Sequence, residues 1–184
     1  MMYFTPDLYR RFNSPDEAIA DQADEDWEAA LRAYRDSLAP HLDAMNPRIR
    51  ALAEGRQGLC FHDAELLSIQ EEAPISLPSA SPLPPVALVS LADEGSIAEL
   101  VYFLWAPIEQ TSPPDDWPFA ASRTHWLYDE IQVSAGRSPS DAPHYRHEIL
   151  LSDGRIVSIS FFDMLIHRSS LRNREPVVIS GRRA

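Results

Sequence analysis

HEILLSDGRIVSISF, residues 147 to 161, decides how the chain folds, because it is two apolar runs joined by Ser152-Asp153-Gly154-Arg155. An Asp-Gly pair between such runs is a strong hairpin signal, since the tightest two-residue turn asks for positive φ at both central positions. That turn predicts Leu151 opposite Ile156, Ile149 opposite Ser158 and His147 opposite Ser160 on one side, with Leu150, Val157 and Ile159 on the other. Apolar residues on both sides imply a central hairpin that other elements cover.

Outward from this hairpin, β-branched and aromatic runs at 59–70, 86–92, 97–108, 124–134, 145–151, 156–167 and, weakly, 176–180 read as strands, with Asp93-Glu94-Gly95-Ser96 turning the second into the third. Residues 73–85, 111–119 and 135–143 are rich in Pro, Gly and Ser and read as loops, with Trp117 and Phe119 expected to fold back onto the sheet. Upstream, after an extended start, Ser14-Pro15-Asp16-Glu17 reads as a helix start in which Ser14 caps and Glu17 closes a capping box. Ile19, Ala23, Trp27, Ala30, Leu31, Tyr34 and Leu38 then recur at steps of three and four, an apolar stripe to be buried against the sheet. The opposite face carries Asp21, Asp24, Glu25, Glu28 and Arg32. Pro40 ends or kinks this helix, and Asn46-Pro47 starts a second, short one that runs toward Gly55. The expected fold is α+β, N-terminal helices packed on an antiparallel sheet of five to seven strands. One domain of 184 residues is expected, helical over 1–56 and sheet over 57–184.

Charge narrows the function. The chain has 28 Asp plus Glu against 16 Lys plus Arg, and every one of those cations is arginine. Without lysine there is no Schiff-base chemistry, no lysine general base and no phosphate-loop lysine. Net charge is −8 over residues 1–72, −7 over 73–136 and +3 over 137–184. An acidic surface repels phosphate backbones and anionic lipid, so neither nucleic acid nor a membrane is an expected partner, whereas a basic protein is. No apolar run approaches a membrane span or a signal-peptide core, which predicts a cytoplasmic protein. Cys60, the only cysteine, sits between Leu59 and Phe61 and is expected to be a buried, inert thiol.

Two constellations could carry chemistry. FHDAELLSI, Phe61 to Ile69, places His62, Asp63 and Glu65 in an apolar strand, where Asp63 and Glu65 share a face and His62 takes the other. HWLYDE, His125 to Glu130, and HYRHE, His144 to Glu148, would bring His125, Asp129, His144, His147 and Glu148 together if their strands are neighbours. That cluster suits a divalent metal or acid–base work, and so a metal-dependent hydrolase. The bland alternative is cross-strand charge pairing on a half-solvated face. Glycine-rich phosphate loops, G-x-S-x-G, H-E-x-x-H and paired C-x-x-C motifs are absent, so no cofactor or stoichiometric metal is expected.

FHDAELLSI resembles the opening found in some bacterial immunity proteins of polymorphic toxin systems, small acidic domains that neutralise a toxin by binding it. From MYFTPDLYRRFNSPDEA through HWLYDEIQVS to HEILLSDGRIVSISF, the chain also resembles a family of small uncharacterised bacterial proteins, which implies no activity. The expected function is a non-catalytic protein-binding module, immunity-like or regulatory, acting on a basic partner. Its binding residues would be Asp21, Asp24, Glu25 and Glu28 with His62, Asp63 and Glu65. A homo-oligomer formed through a sheet edge is a further possibility.

Overall fold

The computed structural model describes residues 1–56, 59–73, 84–93, 95–119, 122–134 and 143–170. The structure is α+β: three helices lie N-terminal to an antiparallel sheet that curls strongly. The helices are α1 (Pro6–Phe12), α2 (Glu17–Leu38) and α3 (Pro47–Ala53), with a 3-10 turn at Ala39–His41. The strands are β1 (Glu65–Glu72), β2 (Val86–Asp93), β3 (Ser96–Leu104), β4 (Glu109–Gln110), β5 (Trp126–Ser134), β6 (His144–Leu151) and β7 (Ile156–Ser170). Their order is β1-β2-β3-β7-β6-β5, with β4 also paired to β7. The expected strand at 176–180 and most of the loops at 73–85 and 135–143 lie outside the described residues.

The helix ends differ in part from expectation. The extended start contains α1, capped by Thr5, whose side chain accepts from Leu8 N–H, with Pro6 in the first turn. Asp16, not Ser14, caps α2 by accepting from Ala18 N–H, and Ser14 Oγ accepts from Asp16 N–H at 3.2 Å. Pro40 does end α2, within the 3-10 turn. Asn46 caps α3, and Gly55 at φ +58° closes it, with Gly55 N–H donating to Leu52 C=O and Arg56 N–H to Ala51 C=O. Those two bonds form a Schellman motif, which needs a left-handed residue at that point.

The hairpin of β6 and β7 forms where expected, but one residue out of register. Ile149 pairs with Val157, His147 with Ile159 and Tyr145 with Phe161. Gly154 is at φ +85° while Asp153 is not left-handed, and Gly154 N–H donates to Leu151 C=O as Leu151 N–H donates to Arg155 C=O. This is a type I turn followed by a glycine bulge, a three-residue loop in place of the two-residue one. A one-residue slip exchanges the faces of a strand. It therefore moves His147 from a row of serines into the concave, apolar face.

That face forms the core. Ala87, Val89, Leu91, Ala98, Leu100, Tyr102, Ile149, Val157, Ile159, Phe161 and Met164 are buried there, in one cluster with Tyr34, Leu38, Ile49 and Leu52 of the helices. The α2 stripe is buried only in part: Ala23, Tyr34 and Leu38 are fully covered, Trp27, Ala30 and Leu31 partly so, and Ile19 is exposed. The curl brings the outer strands together. Glu65 of β1 bridges His125, just before β5, and Asp63 N–H to Trp126 C=O, Trp126 N–H to Ala64 C=O and Leu66 N–H to Thr124 C=O complete the seam. Beyond that seam Tyr34 Oη accepts from Ile131 N–H at 2.9 Å, so α2 covers the remaining edge of β5.

Candidate functional site

β5 and β6 are neighbours, but they do not gather the five residues of the expected His and carboxylate cluster. Alternation places Asp129 and His147 on the concave face, and Glu148, paired with Glu130, on the other. His144 stacks on the exposed Trp105 with ring centroids 4.0 Å apart, and His125 lies at the β1 seam. Among the described residues no group of three or more His, Cys, Asp or Glu could hold a metal ion.

On the concave face a chain of hydrogen bonds runs inward. His147, fully buried, holds Asp129 Oδ2 through Nε2 at 2.9 Å and Tyr102 Oη through Nδ1 at 3.0 Å. The Trp126 indole N–H donates to the other Asp129 oxygen at 2.9 Å. The Tyr102 hydroxyl is pushed well above its ordinary pKa, by burial first and then by the charge of Asp129, so it keeps its proton. His147 thus bridges the Tyr102 hydroxyl and the Asp129 carboxylate, one ring nitrogen to each. Asp129 collects two hydrogen bonds, one on each oxygen. Its carboxylate forms part of the floor of a cavity of about 530 Å³ between the sheet, α2 and α3, which also takes in Leu31, Leu38 and Leu52. Cys60 opens on the same cavity and is exposed, contrary to the expectation of a buried thiol; the next residue, Phe61, is the one that enters the core.

Glu148 sits in an anchoring environment. Opposed Glu130 and Glu148 would repel each other, but Gln132 Nε2 donates to both at 2.9 Å. Glu130 also accepts backbone N–H from Met2, Tyr3 and Phe4. Glu148 takes the Met1 amino group at 2.9 Å, Ser158 Oγ at 3.2 Å and Arg146 Nε at 3.4 Å. Burial alone would raise the Glu148 pKa, but the amino group and Arg146 overcome it and hold the carboxyl below its usual range. Nothing in the sequence signals that residues 2–4 supply these donors.

Phe61 to Ala64 lie in a turn before β1, and Glu65 is the first residue of the strand. Asp63 adopts φ +66°, which an aspartate tolerates better than most residues, so His62 and Asp63 leave the strand alternation and only Glu65 begins it. His62 is exposed, stacks on Tyr128 at 5.2 Å and 9°, and hydrogen-bonds Leu127 C=O through Nδ1. Glu65 pairs with Arg123 at 2.7 Å. Tyr128 in turn packs on Trp27 of α2 at 4.4 Å, so an aromatic seam leads from the turn to the acidic helix. Tyr9, Trp117 and Phe119 continue it, and Trp117 donates to Ser152 C=O at 2.9 Å, folding back onto the hairpin turn as expected.

On that helix Asp21, Asp24, Glu25 and Glu28 are all exposed. Glu28 reaches Arg32 at 3.8 Å, whereas no described cation pairs with the other three. Asp26, beside them, is held by Arg11 at 2.6 Å, and this bond, with a second from Gln22, lowers its pKa. No helix among the described residues is long and apolar enough to cross a membrane. No protein-family model matches the chain, and no curated protein does.

Proposed function

We propose that the protein is a non-catalytic protein-binding module, immunity-like or regulatory in role, that docks a basic partner on the face where α2 meets the FHDAE turn. The observation that carries this reading is the exposed, unpaired state of Asp21, Asp24 and Glu25 on α2, the helix whose Trp27 packs on Tyr128 and, through it, reaches His62. Elsewhere the same helices spend arginines on their acids, as Arg10 and Arg11 do on Asp7 and Asp26. Aromatic anchors rimmed by charge are the usual make-up of an interface centre, and Trp and Tyr carry much of the energy there. The hydrolase reading keeps only the His147–Asp129 pair. His147 has both ring nitrogens engaged and no exposed surface, which does not present it to a substrate.

The test is partner capture from native lysate with wild type and with the quadruple variant Asp21→Arg, Asp24→Arg, Glu25→Arg, Glu28→Arg. Long-range attraction acts on association and is screened beyond ~8 Å at physiological ionic strength, so the variant should capture less at low salt and lose the salt dependence. Undiminished capture by a variant that still melts cooperatively rejects the acidic face as the docking surface.

A further inference from the structure

The cavity above Asp129 lies under the C-terminal half of α2, away from the acids of its first turns, and its chemistry is separate from that of the docking face. We infer that it is a binding site for a small organic ammonium ion with an apolar body. Three observations converge. The space of about 530 Å³ is in the size range of small-molecule sites and is walled by Leu31, Leu38, Leu52 and the Tyr34 ring. Asp129 stands at its floor with 24% of its side chain exposed, so one edge of the carboxylate reaches the cavity. Each of its oxygens is held from behind, Oδ1 by Trp126 Nε1 and Oδ2 by His147 Nε2, both at 2.9 Å.

A carboxylate at the base of a recess with leucine walls attracts a cation whose apolar body can lie against those walls. The two donors fix the plane of the carboxylate, so the ligand finds its acceptor already oriented. Arg35 and Glu54 also contribute to the lining. Glu54 is committed to Arg50 and Arg56, at 3.0 and 2.6 Å, while Arg35 is exposed. Arg35 would favour an anion, which makes the sign of the preferred ligand a direct test.

The probes are 4-phenylbutylammonium, 4-phenylbutanol and 4-phenylbutyrate, matched in body and different in head. Titration is followed by calorimetry and by the indole N–H resonance of Trp126, which sits on Asp129 and which a structural role elsewhere would not move. The ammonium should bind saturably and at least about tenfold more tightly than the alcohol, as one well-placed charge pair allows, and should shift that resonance. In Asp129→Asn the ammonium and the alcohol should become equal. Because this variant could disturb folding, Leu31→Trp is the second arm: it fills the cavity from α2 and should abolish binding of all three with Asp129 intact. Equal binding of ammonium and alcohol by wild type overturns the inference, as do tighter binding of the butyrate, no binding at all, or a preference that survives in folded Asp129→Asn or Leu31→Trp.

Discussion

His147 Nε2 and Asp129 Oδ2 lie 2.9 Å apart across two neighbouring strands, and both side chains sit on the concave face of the sheet. The pair exists because β5 and β6 set Ile131 opposite His147 and Asp129 opposite Ile149, which leaves Asp129 and His147 diagonal neighbours on one face. The polar chain it belongs to is satisfied from end to end, so cutting it in the middle orphans both neighbours.

His147→Ala should therefore destabilise the protein by roughly 2 to 5 kcal/mol, combining a cavity with the unmet Tyr102 hydroxyl and a carboxylate that has lost a donor. Urea unfolding measures this. A loss under about 1 kcal/mol would mean that water replaces the ring without cost.

Tyr34 offers a more conservative cut. Its hydroxyl accepts the edge N–H of Ile131 in a buried setting. Tyr34→Phe keeps the ring and should cost about 1 to 3 kcal/mol, the expense of an unmet buried donor. Amide exchange should localise the effect, with the Ile131 N–H the first to lose protection.

Gly154 cannot become alanine cheaply. It is at φ +85°, and a Cβ there would stand 2.7 Å from the Trp117 ring, which is itself tied to Ser152 C=O. Gly154→Ala should cost roughly 2 to 4 kcal/mol from left-handed strain and overpacking together. A thermal melt unchanged from wild type would show that the loop can rebuild as a two-residue turn.

Acid should loosen the same turn. Burial would raise the Asp153 pKa, but hydrogen bonds from the Arg155 side chain and backbone, the Arg155 charge and the Thr124 hydroxyl bring it below its ordinary value. A carboxyl with a depressed folded pKa contributes stability that is complete above the unfolded value of about 3.9 and is lost as pH falls through the folded one. Asp153→Asn should lower stability at neutral pH and flatten the acid limb of the pH–stability curve below about pH 5. An acid limb of unchanged steepness would assign the acid sensitivity to other groups, of which Glu148 has the same sign.

Trp27 bears on both stability and binding. Packed on Tyr128 and Phe4 at 4.4 and 4.6 Å yet only half-buried, it should lose about 1 to 3 kcal/mol on replacement by alanine, less than a core tryptophan. In Trp27→Ala protein that remains folded, partner capture should fall. Retained capture would remove the aromatic seam from the docking face.

What could be seen in the sequence is what local chemistry dictates. Periodicity located α2, proline and asparagine located α3, and the Asp-Gly pair located the turn between β6 and β7. Asp-Gly suits both a two-residue turn and a three-residue turn with a bulge, and only the tertiary fit of Gly154 against Trp117 selects between them. Asp129 and His147 were expected in one cluster with His125, His144 and Glu148, but which of the five share a face depended on the β5–β6 register, which no turn signal fixes. Tyr102 and Trp126 were hidden for another reason: in a strand of apolar residues an aromatic side chain is read as packing, and its hydroxyl or indole N–H goes unnoticed. A signal for α1 did exist in Thr5-Pro6-Asp7, but a helix of seven residues has too little periodicity to declare itself.

The seam between β1 and β5 has a kinetic consequence. Its bonds join residues 63–66 to 124–126, so closing it constrains about sixty residues of intervening chain, whereas the hairpin of β6 and β7 closes over a handful. Contacts of such long range form late and part early. The seam should therefore open like a clasp: Asp63, Leu66 and Trp126 should exchange their amide hydrogens through a sub-global opening while the hairpin of β6 and β7 stays zipped. The FHDAE turn stands at that clasp, so a partner gripping His62 and Asp63 would hold the seam shut and slow unfolding, an effect readable as kinetic stability in the complex.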